Sequence, residues 1–99
     1  MEQVRLKDGT RIAYEQSGSR AKPAVLLLDG ISCDGFVWRY LTPFLNRRFH
    51  VIHLQYRGHG RSGIPRDESA VTIPHLAADI AELASRLGVG PMFCMGHSM

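Results

Sequence analysis

The chain is short of cysteine and has no long hydrophobic run, and each shortage excludes a class of protein. Two cysteines occur in 99 residues, Cys33 and Cys94, far apart and without metal-ligand spacing. Neither a disulfide framework nor a cysteine metal site is indicated, and a reducing, cytoplasmic setting is the expectation. The longest aliphatic run, Ala24 to Leu28, is far too short to cross a bilayer, so no membrane span is expected. The start, Met1 to Asp8, alternates apolar with polar residues and has no apolar h-region, which argues against a secretory signal. No internal repeat or low-complexity tract appears. Twelve basic against nine acidic residues leave a net charge of only +3, spread along the chain except at Arg47-Arg48. That pair reads as a solvated surface before a strand, and no nucleic-acid partner is expected. What is present, 44% hydrophobic and 21% charged residues, is the composition of one soluble globular domain or of part of one.

The order of elements can be read from local pattern. Val4, Leu6, Ile12 and Tyr14 alternate with polar neighbours on both sides of Asp8-Gly9, a strong turn signal, and predict a β-hairpin. Ala24 to Leu28 does not alternate, as expected of a strand buried on both faces of a parallel sheet. Phe36 to Leu45 places Trp38, Leu41 and Leu45 about one helical turn apart, with Thr42-Pro43 able to cap and restart a turn, and predicts a short irregular helix. Phe49 to Leu54 is the next strand, closed by a loop from Tyr56 to Val71 that is rich in Gly, Arg, Ser and Pro. A longer helix follows: Thr72 is the N-cap, Pro74 lies in the first turn, Leu76, Ile80, Leu83, Ala84 and Leu87 form one stripe, and Gly88 is the stop. Met92 to Met95 is a last apolar strand. The class is therefore α/β, an N-terminal β-hairpin followed by parallel strands joined by crossover helices.

Two motifs bear on chemistry. The chain ends Gly96-His97-Ser98-Met99, and a following glycine would complete G-x-S-x-G, in which a serine on a sharp strand-to-helix turn acts as nucleophile. Ser98 would then lie just past a strand's carboxyl end, where open α/β sheets place their chemistry. Gly58 to Gly63 spells G-x-G-x-x-G after a strand, which invites a dinucleotide-binding reading. That motif requires its last glycine to open a helix facing the pyrophosphate, whereas Ile64 to Asp67 continues the loop. The glycines are instead expected to serve positive φ angles in a tight loop near a pocket rim.

Taken in order, the hairpin, the strand ending in Asp29-Gly30 with Trp38 downstream, the loop Arg57-Gly58-His59-Gly60-Arg61-Ser62 and the terminal Gly96-His97-Ser98-Met99 resemble the α/β-hydrolase family. The resemblance covers essentially the whole chain and corresponds to the front third or so of the family, ending at the nucleophile elbow. Residues 1–99 are thus expected to be the N-terminal part of a single α/β-hydrolase domain, an incomplete sheet truncated at that elbow. The resemblance implies that Ser98 is the nucleophile, activated by a histidine that an acidic residue orients, in chain order serine, acid, histidine. Both partners would follow residue 99. His97 is adjacent to Ser98, and neighbouring side chains leave such a turn in divergent directions, so it reads as packing and hydrogen-bonding support. His50, His53, His59 and His75 lie upstream, against the family's order, and His50 and His53, three apart on a strand, face opposite sides and make a poor metal pair.

The same resemblance implies an oxyanion hole made by the backbone N–H groups of Met99 and Ile31. Two positions depart from the family's pattern: Asp29 stands where His is usual before Gly30, and Gln55 where many members carry Asp. An unpaired carboxylate near a developing oxyanion opposes catalysis, so Asp29 should point away, pair with an arginine such as Arg57, or cap the amides of Ser32 or Cys33. The Asx-turn over those amides is the expectation.

The implied function is a serine hydrolase acting on a small-molecule ester-like or related acyl substrate through an acyl-enzyme on Ser98, with no metal and no organic cofactor. Serine rather than aspartate at that position argues against haloalkane dehalogenases and epoxide hydrolases, which form an alkyl ester on a carboxylate. Carboxylesterases, monoacylglycerol-type lipases, carbon–carbon bond hydrolases and related peptidases stay open, as does the oligomeric state. The rival readings are a non-catalytic ligand-binding member of the fold and an inactive truncated fragment.

Overall fold

A computed structural model of the chain describes residues 1–30, 35–65 and 67–97. Five strands form one sheet: β1 (Glu2–Arg5), β2 (Arg11–Gly18), β3 (Ala24–Leu28), β4 (His50–Leu54) and β5 (Phe93–Gly96). Their spatial order is β1-β2-β4-β3-β5. The hairpin β1/β2 is antiparallel and closes at Asp8-Gly9, where the Asp8 carboxylate accepts from the Thr10 N–H at 2.9 Å and Gly9 takes φ 91°. β2 adds antiparallel to β4, whereas β3 pairs in parallel with β4 on one side and β5 on the other. The α/β class and the parallel strands after the hairpin are therefore as the sequence predicts.

Side-chain alternation divides the core between the two faces of the sheet. Leu26, Ile52 and Leu54 point to one face and pack with Ile12, Tyr14, Leu76 and Leu83, the last two from helix α2 (Ile73–Leu87). Val25, Leu27 and Val51 point to the other and meet Trp38 and Leu45. Helix α2 forms as its end signals dictate. The Thr72 side chain accepts from the His75 N–H, Pro74 lies in the first turn, Arg86 pairs with Glu82 at 3.0 Å, and Gly88 closes the helix at φ 67°.

The segment between β3 and β4 is less regular than a single helix. It makes a 3-10 turn over Phe36–Trp38 and a one-turn helix α1 (Thr42–Leu45). Trp38 is buried and Leu45 half-buried, but Leu41 is exposed, so the three-residue stripe is only partly realised. Thr42 is not a cap: Leu41 holds that position, and the Thr42 hydroxyl donates to the Trp38 carbonyl at 2.9 Å. β5 sits at the sheet edge with all four residues exposed.

Candidate active site

The three residues expected to carry chemistry, Ser98, Met99 and Ile31, lie outside the described residues, as do Ser32 and Cys33. The structure does describe the chain that leads to them. β3 and β5 are neighbours, parallel, with Leu28 opposite Gly96. The His97 N–H donates to the Leu28 carbonyl at 3.1 Å, so pairing persists one residue past β5. Asp29 and His97 therefore leave the sheet side by side at the carboxyl ends of the two strands. The His97 ring meets the Trp38 ring edge-on at 6.5 Å, and its side chain is otherwise exposed.

Asp29, the departure from the family pattern, directly follows β3 at 2% exposure. Burying a carboxylate is costly unless it is paired and hydrogen-bonded, and here both oxygens are engaged. The Trp38 indole N–H donates to Oδ1 at 2.8 Å. His53 Nε2 lies 3.0 Å from Oδ1 and 2.9 Å from Oδ2, and since an ionised carboxylate only accepts, Nε2 carries the proton of this contact. The Asp29 carbonyl in turn accepts from the Tyr56 hydroxyl at 2.7 Å. Burial, and after it the Asp29 charge, push the Tyr56 phenol up to about 12, so it stays a donor across the ordinary pH range. The far side of His53 looks outward: Nδ1 is 3.9 Å from Glu15, at the floor of an open cleft of about 350 Å³ beneath α1.

Of the three expectations for Asp29, pairing with Arg57 is not what forms. The Arg57 guanidinium is committed elsewhere, donating from Nε to Asp79 Oδ2 at 2.7 Å and from Nη2 to Asp8 at 2.8 Å as well as to Asp79. These carboxylates, Asp79 first, raise its pKa above the usual arginine range despite burial. The Asx-turn involves amides outside the described residues. Asp29 turns into the interior, where Trp38 and His53 stand as donors. His53 is the residue that sequence reasoning missed. Its face was legible from its place on β4, but its partner depended on β4 lying beside β3, where Leu27 pairs with His53.

The loop after β4 behaves as the glycine argument predicts for Gly58 and Gly60, at φ 76° and 52°, while Gly63 has no such angle. A Cβ on Gly60 would fall 2.4 Å from the Gln55 side chain, which curls under the loop and accepts from the Arg61 N–H at 2.7 Å. Gln55 thus acts as a loop anchor. Ser62 ties the same loop to the sheet, donating to the Gln55 carbonyl at 2.6 Å and accepting from the Ala13 N–H at 2.8 Å. No helix begins at Gly63, so the dinucleotide motif lacks its structural context. Among the described residues no group of three or more His, Cys, Asp or Glu side chains is arranged to hold a metal, and Cys94 is a free, exposed thiol.

Comparison with known proteins agrees with this architecture. The alpha/beta hydrolase fold family matches residues 23–99. Mouse epoxide hydrolase 4 is 34% identical over 95 residues, covering 95% of this chain and 26% of that protein. A probable oxidoreductase EphD of Mycobacterium tuberculosis is 34% identical over 91 residues, covering 91% of this chain and 15% of its own length. Among solved structures, the epoxide hydrolase VrEH1 of Vigna radiata superposes with a TM-score of 0.87 at 31% identity, over 98% of this chain and 31% of that one. The enol-lactonase of Burkholderia xenovorans LB400 reaches a TM-score of 0.89 at 27% identity, over 99% of this chain and 37% of that one. The chain thus spans about a quarter or less of these curated relatives and about a third of the solved structures.

Proposed function

The chain belongs to the alpha/beta hydrolase family, and on that premise we propose that it carries the nucleophile and both oxyanion-hole amides of a serine hydrolase. Ser98 attacks the carbonyl carbon of an ester-like or related acyl substrate. The N–H groups of Ile31 and Met99 stabilise the tetrahedral oxyanion, which collapses to an acyl-serine and expels the alcohol. Water then cleaves the acyl-serine. The histidine that takes the Ser98 proton, and the acid that orients it, are proposed to follow Met99 in chain order, so that residues 1–99 form the front part of one catalytic domain. The substrate is a small molecule, no cofactor takes part, and the setting is the reducing cytoplasm, consistent with a free, exposed Cys94.

The observation that supports this reading is the parallel β3/β5 pair, which brings Asp29 and His97 out side by side, each two residues before one of the two positions the hole requires. Relatives named epoxide hydrolases favour a second reading, the opening of an epoxide. The side chain at position 98 argues against it on chemical grounds. Attack of a serine oxygen on an epoxide carbon gives an ether, which water does not cleave, whereas attack on an acyl carbon gives a hydrolysable ester. A lactone is a cyclic ester, so the enol-lactonase similarity fits the acyl reading.

The test is a chimera in which residues 1–99 replace the matching segment of that enol-lactonase, with cooperative unfolding as the control for folding. Turnover of p-nitrophenyl butyrate, an acyl increment on Ser98 in quenched digests and loss of both in Ser98→Ala are the expected results. A folded chimera that opens styrene oxide but leaves the ester intact would refute the proposal, and a folded one that does neither would favour a non-catalytic role.

A further inference from the structure

We infer that His53 is a positioning residue that clamps both ends of the connection between β3 and the Trp38 turn. The inference rests on the serine-hydrolase reading, because that connection bears the proposed Ile31 amide. At the outgoing end, the His53 Nε2–H is shared by the two oxygens of Asp29, next to Gly30. At the returning end, Gly35 lies against the outer end of the same imidazole: a Cβ built on Gly35 would stand 2.5 Å from His53 Cε1, and φ +93° restricts the position to glycine in any case. Trp38, three residues further on, donates to the same carboxylate. One ring, 7% exposed and mounted on a central strand, thus touches the chain where it leaves the sheet and where it comes back.

This arrangement differs from core packing by an aromatic ring. Phenylalanine would fill the same volume but would leave the Asp29 carboxylate with one donor fewer and no fixed distance to the ring. The other ring nitrogen of His53 faces Glu15 and the cleft under α1. His53 acts through Asp29 and Gly35, and a misplacement of even about 1 Å at an oxyanion donor is enough to lower turnover about a hundredfold.

Hydrogen–deuterium exchange of the 99-residue chain at low micromolar concentration tests the clamp, read by mass spectrometry on a peptide spanning residues 29–38 and on one from α2. Ultraviolet resonance Raman of Trp38, the chain's single tryptophan, reads the indole N–H bond. In His53→Phe the 29–38 peptide should exchange at least about tenfold faster and the indole band should move to that of a weaker hydrogen bond, with the α2 peptide unchanged. In His53→Gln, which keeps a donor, both should return most of the way to wild type. A folded His53→Phe with wild-type exchange overturns the inference. Should His53→Phe not fold, a folded His53→Gln with an unprotected 29–38 peptide overturns it equally. In the chimera, His53→Phe should lower kcat at least about tenfold with KM within about twofold. An inactive parent chimera would count against the serine reading alone, because the exchange result decides the clamp without turnover.

Discussion

Replacing Asp79 by alanine is expected to cost about 3 kcal/mol, because it breaks a buried ion pair and leaves a charge behind. Arg57 and Asp79 are 4% and 5% exposed in their side chains, and the guanidinium binds the carboxylate through two nitrogens. Removing one partner of such a pair typically costs about 3–5 kcal/mol. Here Asp8 remains on Arg57 at 2.8 Å, but its side chain is 50% exposed, so it offsets no more than about 1 kcal/mol of that penalty. Against a stability of about 5–15 kcal/mol for a whole domain, a loss of about 3 is large. With a urea slope of about 1.5 kcal/mol/M, the midpoint should fall by about 2 M. Trp38, 7% exposed, reports unfolding by fluorescence at low micromolar concentration. The paired variant Arg57→Met/Asp79→Leu should recover most of the loss, since it removes both charges together. The reasoning fails if Asp79→Ala costs under about 1 kcal/mol, or if the paired variant is as unstable as the single one.

The 99-residue chain alone should show no hydrolysis of p-nitrophenyl acetate above a Ser98→Ala control, because loss of a triad's base lowers turnover by orders of magnitude; an acyl label trapped on Ser98 would contradict this. Asp29→Asn should keep stability within about 1 kcal/mol, since the amide still accepts from Trp38, whereas Asp29→Leu strands two buried donors and should cost about 2–4 kcal/mol. Equal losses in urea titrations would mean that charge, and not hydrogen bonding, is what Asp29 supplies. The Thr10 N–H, followed by Arg57, holds Asp8 at about 2 instead of 3.8, so its stabilisation is full above about pH 4 and is lost as pH falls through about 2. Because Asp8 is half-exposed, Asp8→Asn should remove no more than about 1 kcal/mol at pH 7 and only a small fraction of that at pH 2, as read from paired urea titrations. The edge strand β5, with Phe93 62% exposed, should drive association in size-exclusion chromatography as concentration rises, and Phe93→Lys should restore the monomer; a wild-type chain that stays monomeric at high concentration would sink this expectation.

What the sequence determined by itself is what depends on near neighbours. The hairpin follows from Asp8-Gly9, whose turn needs a left-handed φ and a side-chain acceptor two residues before Thr10. Helix α2 follows from Thr72, Pro74, the leucine stripe and Gly88, each acting within a turn of its own position. The strands β3 and β4 follow from unbroken apolar runs, and the order of motifs along the chain sufficed to indicate the family. Tertiary structure decided the pairings between residues distant in sequence. Nothing local says that β2 joins β4, or that β3 lies between β4 and β5, because strand neighbours are chosen by the burial of whole faces. Once that order is set, His53 stands beside the end of β3 and claims Asp29, while Arg57 reaches Asp79 on α2, 22 residues away. Asp29 and Arg57 carry charges that cannot be buried alone, so each takes the partner that the packed sheet brings within hydrogen-bonding distance, and that distance exists only in three dimensions.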